Sequence, residues 1–116
     1  LGVMLMEGRG NARDEEQDVQ WYRRAAEQRI ARAQSNLGSM LGKGLGIARD
    51  DAQAVEWYRR AAEQGNASAQ RNLGFMLENG RGIGRNLEEA VTWYQRAARQ
   101  DNGEAQSALI MLNRSW

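Results

Sequence analysis

The sequence predicts an all-α protein, an α/α solenoid of antiparallel helix pairs, and three observations carry that reading. Ala54-Val55-Glu56-Trp57-Tyr58-Arg59-Arg60-Ala61-Ala62 is echoed 36 residues earlier from Asp18-Val19-Gln20-Trp21-Tyr22 and 36 residues later from Ala90-Val91-Thr92-Trp93-Tyr94. A fixed period of that size marks stacked repeats. Gly8-Arg9-Gly10, Gly44-Leu45-Gly46 and Gly80-Arg81-Gly82 punctuate the chain in the same register, and glycine there closes a helix by taking a positive φ. Proline is absent, as long helical stretches require.

The pattern divides one structural unit, residues 1–116, into a partial repeat 1–28, full repeats 29–64 and 65–100, and a trailing first helix 101–116. Leu1 to Glu7 matches Leu37 to Lys43 and reads as the back half of a first helix. Leu1 is not an initiator methionine, so the chain reads as a piece of a longer or processed protein. After each glycine pair comes a capping box, with Asp14, Asp50 and Asn86 at N-cap and Gln17, Gln53 and Glu89 three residues on. Each box opens a second helix, over Glu15–Gln28, Asp51–Gln64 and Leu87–Gln100. In the middle copy Ala54, Val55, Trp57, Tyr58, Ala61 and Ala62 form its apolar stripe, with burial of each Trp or Tyr contributing roughly 2–3 kcal/mol.

Gly65-Asn66 ends one helix and caps the next, Ala67–Asn79, and Asp101-Asn102 keeps the cap. Arg29-Ile30 has neither feature. If Arg29 adopts the left-handed conformation there, strain of about 1 kcal/mol follows.

Composition narrows the function. The net charge is +1, with all of the 16 basic residues except Lys43 being arginine, so no global pull toward nucleic acid or anionic membrane exists. Without cysteine or histidine, the common nucleophile–base pairs and most transition-metal sites are unavailable. No apolar run is long enough to span a membrane and no leader pattern opens the chain. Compartment stays undetermined. Gly42 to Gly46 and Gly80 to Gly84 look superficially like phosphate or dinucleotide loops, but they follow no strand, lack the spacing and recur with the repeat. They are turns. The carboxylates Glu15, Glu16, Asp50 and Asp51 fall in helix first turns, which the helix dipole explains. Arg24, Arg60 and Arg96 repeat in register and are read as inter-repeat salt bridges or hydrogen bonds, and Gln34, Gln70 and Gln106 likewise.

Comparing the copies with one another locates a free surface. On the first helix the positions that change are Arg32/Ser68/Glu104, Ser35/Arg71/Ser107, Val3/Ser39/Phe75 and Glu7/Lys43/Asn79. They are spaced three or four apart and share a face. On stacked helices that face becomes a ribbon.

The constellation Ala-x-x-x-Ala-Gln-x-Asn-Leu-Gly, then Gly-x-Gly, then Ala-Val-x-Trp-Tyr-Arg-x-Ala-Ala-x-Gln-Gly-Asn resembles the Sel1-like repeat, a relative of the tetratricopeptide repeat, over essentially the whole chain. The resemblance implies a right-handed superhelix whose first helices line the concave side. It also implies that Arg32, Ser35, Ser39 and Lys43 face the groove, and that Asn36 and Asn72 hold a bound peptide's main chain. The last unit departs, with Ala108 and Ile110 in place of Asn and Gly.

The function expected is therefore a non-catalytic protein–protein interaction scaffold with no cofactor and no metal. Its groove would use Arg32, Asn36, Ser39, Lys43, Arg71, Asn72, Phe75 and Asn79. Phe75 would serve as an exposed aromatic anchor, and Arg32, Arg71 and Lys43 would complement an acidic protein or peptide. Two alternatives are weaker. Cysteine-rich members resembling this family are associated with β-lactam binding or hydrolysis, but no Ser-x-x-Lys motif or cysteine is present. An RNA-binding helical repeat would carry a larger positive charge. Uncapped ends exposing Val3, Met4, Leu5, Leu109, Ile110, Leu112 and Trp116 would favour association with further repeats or a second copy.

Overall fold

The computed structural model describes residues 12–116. Its six helices are α1 (Ala12–Glu27), α2 (Ala31–Lys43), α3 (Asp51–Glu63), α4 (Ala67–Asn79), α5 (Leu87–Ala98) and α6 (Gly103–Met111), with no strand among the described residues. Each packs on its neighbour in sequence, most closely α2 on α3 and α4 on α5. These are the hairpins of an α/α solenoid. Expected and observed helix bounds agree to within two residues with two exceptions: the trailing helix expected over 101–116 stops at Met111, and α1 is helical from Ala12. Asp14 therefore lies inside its first turn and is not an N-cap.

Small residues let the helices of a hairpin meet. Ala54, Ala61, Ala69, Ala90 and Ala97 are fully buried, and Leu37, Leu41, Leu73, Leu77 and Leu109 fill the layers between. Tyr58 and Tyr94 close each hairpin by lying against Gly38 and Gly74, where a Cβ would come within 2.8 Å of the ring.

The turn inside a hairpin follows from its two glycines, and each has a different reason. Gly44 and Gly80 take φ of 70° and 66° and cap the first helix. Gly46 and Gly82 also have positive φ, but they press on the previous repeat: a Cβ at Gly46 would stand 2.3 Å from the Glu15 carbonyl, and one at Gly82 2.3 Å from that of Asp51. The following caps hold, since the Asp50 and Asn86 side chains accept from the Gln53 and Glu89 amides. The reciprocal half of the capping box is absent. The Asp50 and Asn86 amides already donate to Leu41 O and Leu77 O at 2.9 Å. Gln53 Nε2 turns instead to the Asp50 carboxylate, and Glu89 to Arg59 and Trp93.

Between hairpins, Arg29, Gly65 and Asp101 all occupy positive φ, at 67°, 96° and 66°. Ile30 provides no side-chain cap, whereas Asn66 and Asn102 each accept an amide at 2.8 Å. A glutamine relay spans each junction: Gln34 Nε2 donates to Ala26 O, and Gln64 Nε2 donates to Gln34 Oε1. Gln70 with Ala62 O and Gln100 repeats it, and Gln106 donates to Ala98 O. Buried amides so satisfied fix the spacing of repeats.

Three expectations change. The tryptophans are not uniformly core: Trp93 is 7% exposed, Trp57 half-buried and Trp21 70% exposed. Trp93 and Glu89 share a face of α5, and Glu89 pairs with Arg59 of α3, so this side chain is turned toward the preceding second helix. No described helix precedes α1. The arginines also differ. Arg60 and Arg96 make no inter-repeat salt bridge but stack over Trp57 and Trp93 of their own helices, 4.7 and 4.6 Å from the ring centres. Finally, Leu109 is fully buried and Leu112 half-buried, while Ile110, Met111 and Trp116 are exposed. The tail folds back on α5, with Arg114 on Glu88 and the Ser115 and Trp116 carbonyls accepting from Gln95 and Arg99. Val3, Met4 and Leu5 lie outside the described residues.

Candidate functional site

The first helices α2 and α4 contribute the walls of a pocket of about 170 Å³. Ser39, Gly42 and Lys43 come from α2, and Arg71, Asn72, Phe75 and Met76 from α4. Tyr58 of α3 and Arg81 of the α4–α5 turn complete it. Two of its three cations are held from behind. Arg81 reaches across the repeat boundary, donating to Asp51 at 3.0 Å and to Gly42 O at 3.1 Å. Arg71 donates to Asn72 Oδ1 at 2.9 Å and pairs loosely, at 3.8 Å, with Glu104 of α6. Asn72 Oδ1 thereby accepts from Arg71, and its Nδ2 donor has no partner among the described residues.

Electrostatics follow from the contacts. Hydrogen bonds from Arg49 and Arg81 hold the Asp51 carboxyl down at about 2. Burial pushes the Tyr58 hydroxyl up, opposed by the bond it donates to Ser39 Oγ and by the positive charges of Arg81 and Arg71. The pocket is thus a positive field over a buried phenol.

The expected site residues divide. Ser39, Lys43, Arg71, Asn72 and Phe75 converge here. Arg32 and Asn36 line a separate depression of about 240 Å³ with Trp21, Tyr22 and Ile30. Asn79 is exposed outside both, donating to Phe75 O. Phe75 is no free anchor: it is half-buried, with the Arg71 and Arg81 guanidinium carbons 5.6 and 6.0 Å from its ring centre. Ser35 is 6% exposed and so leaves the variable ribbon. Sequence reasoning missed Tyr58, Gly42, Met76 and Arg81. The signal for Arg81 was the middle residue of Gly-x-Gly, which is Leu45 one repeat earlier; no pattern within a single repeat reveals that it crosses to Asp51.

The model of the Sel1 repeat matches residues 1–29, 31–66 and 67–102. The chain belongs to the Sel1 repeat family. Sel1 repeats generally act in protein–protein interaction, typically as non-catalytic scaffolds. A Sel1 repeat protein from Oxalobacter formigenes is similar at 44% identity and a TM-score of 0.77 over 81% of this chain and 39% of its own. The protective antigen c5321 of uropathogenic Escherichia coli, which displays an SLR fold, is similar at 38% identity and a TM-score of 0.80 over 93% of this chain and 23% of its own. The chain thus spans well under half the length of these two Sel1 relatives. No curated protein matches it. Among the described residues of this Sel1 array, no helix is long and apolar enough to cross a membrane.

Proposed function

We propose that this Sel1 array is a non-catalytic interaction module that holds a segment of an acidic partner protein across α2 and α4. One observation carries the reading: five of the side chains at positions that vary between repeats, or beside them, line a single pocket spanning two successive first helices. In this reading Arg71 and Lys43 supply the charge, the Phe75 ring supplies apolar surface, and Asn72 Nδ2 donates to the partner's main chain. Arg32 and Asn36 extend the contact toward α1.

A displayed library of random peptides selected on the wild-type protein tests it. Recovered peptides should be rich in Asp and Glu and should bind a Phe75→Ala, Arg71→Glu double variant at least tenfold more weakly, about 1.4 kcal/mol, with helicity unchanged. Equal binding to both proteins discards the groove. A second reading, association through the ends, is favoured by the exposure of Trp21 and Ile30 at one end and Met111 at the other. A strict monomer by light scattering at high concentration refutes it.

A further inference from the structure

The two hairpins treat their tyrosines differently. Tyr94 donates to the carboxylate of Glu78 at 2.7 Å. The equivalent of Glu78 in the preceding repeat is Gly42, and there Tyr58 donates only to the Ser39 hydroxyl at 3.1 Å. A Cβ at Gly42 would meet nothing closer than Ala54 Cβ at 3.8 Å and Tyr58 Oη at 3.9 Å, so room for a side chain exists and opens into the pocket. The surroundings change in step. Where the helix carries its own carboxylate, the neighbouring positions are Asn79 and Ser107; where it carries glycine, they are Lys43 and Arg71.

We infer that the pocket between α2 and α4 is a carboxylate site, filled by a glutamate side chain of the partner where Glu78 fills the corresponding space in the next repeat. This rests on the groove reading above and names the group the groove selects. The bound carboxylate accepts from Tyr58 Oη, which exchanges Ser39 for a charged acceptor, and is flanked by Lys43 and Arg71. Arg81 contributes less, since its guanidinium is already committed to Asp51 and Gly42 O. The competing carboxylate, Glu104, is 72% exposed and 3.8 Å from Arg71, so it yields at little cost.

The probe is N-acetyl-glutamate methylamide, with the glutamine analogue as control, titrated into isotopically labelled protein at low salt and followed by amide chemical shifts. Saturable shifts at Ser39, Gly42, Lys43 and Asn72 are expected with glutamate, at least tenfold weaker with glutamine, and reduced by added salt. Two variants close the test. Gly42→Glu should plug the pocket with its own carboxylate and abolish the shifts. Lys43→Asn with Arg71→Ser, which copies the next repeat at one exposed and one half-buried position, should do so with helicity unchanged. Equal shifts for glutamate and glutamine, undiminished binding in either variant, or tighter binding of the free terminal carboxylate of N-acetyl-alanine each overturn the inference. If library peptides bind the groove without needing a carboxylate, this inference fails and the groove reading stands; if the blocked glutamate binds and no peptide does, the reverse holds.

Discussion

The Cδ1–Cε1 side of the Tyr58 ring lies against Gly38, so that a Cβ on Gly38 would stand 2.8 Å from both atoms. Four residues on, a Cβ on Gly42 would make only ordinary contacts, with Ala54 Cβ at 3.8 Å and Tyr58 Oη at 3.9 Å. The two glycines of one helix should therefore respond oppositely to alanine. Gly42→Ala should stabilise by roughly 0.5–1 kcal/mol through helix propensity, whereas Gly38→Ala should destabilise by about 1–3 kcal/mol because the buried ring has nowhere to move. Urea unfolding of both variants decides it; stabilisation by both would mean that the hairpin contact is looser than described.

The second glycine of the turn should matter more than the first. At Gly80 an alanine meets Arg85 alone, its Cβ at 3.3 Å and its backbone no closer than 3.6 Å, and costs roughly 1–2 kcal/mol from its positive φ. At Gly82 the same φ penalty is joined by collision with the Asp51 backbone, where overpacking adds roughly 1–3 kcal/mol. Thermal melts of the two single variants should fall in that order.

Acid should weaken the repeat boundary through Asp51. Its folded carboxyl is held at about 2 against an ordinary 3.8, first by Arg49 and then by Arg81. A depressed pKa contributes stability that is complete above about pH 4 and is lost as pH falls from 4 toward 2. Asp51→Asn should cost about 1–2 kcal/mol at neutral pH and remove that part of the acid dependence. Denaturant unfolding at pH 7 and pH 3 measures both effects; parallel pH curves for wild type and variant would count against the bridge.

Arg29 holds φ at 67° where the next repeat uses Gly65. Arg29→Gly should raise stability by roughly 0.5–1 kcal/mol, the left-handed penalty less the added freedom of the unfolded chain. Amide exchange should be faster at Ile30 than at Asn66, which lies in the junction that has both a glycine and a side-chain cap. Equal protection would show the strain to be negligible.

The relay through Gln70 predicts a larger loss. Gln70→Ala removes one donor to Ala62 O, which keeps the Gly65 amide at 3.0 Å, and one acceptor of Gln100, which keeps Gly65 O at 2.9 Å. A cost of about 1–2 kcal/mol from the two lost bonds is expected, read as a lower urea midpoint, while Gln106→Ala in α6 should cost less because Gln106 is half-buried.

Much of the groove was legible because copies inside one chain can be compared. Ser39, Lys43, Arg71 and Phe75 vary while Leu37, Leu73 and their neighbours do not, and that contrast separates surface from core without any relative. Comparison failed where a position's environment depends on how many repeats flank it. Trp21, Trp57 and Trp93 are one residue in the pattern and three in exposure, because burial of that face is supplied by the preceding hairpin. It failed again at Ser35, whose variation does not bring exposure, and at Arg60, where a regularly spaced cation finds the tryptophan of its own helix rather than the adjacent repeat.

By itself the sequence determined the helices, their turns and their stacking order, since periodicity, glycine at positive φ and N-cap chemistry act over a few residues and repeat without drift. Only the tertiary structure decided what the loops and pockets do. Gly82 meeting Asp51 and Arg81 crossing to Gly42 are contacts between residues 30 or more apart in the chain. Those contacts depend on the packed offset of one hairpin against the next, which no local pattern encodes.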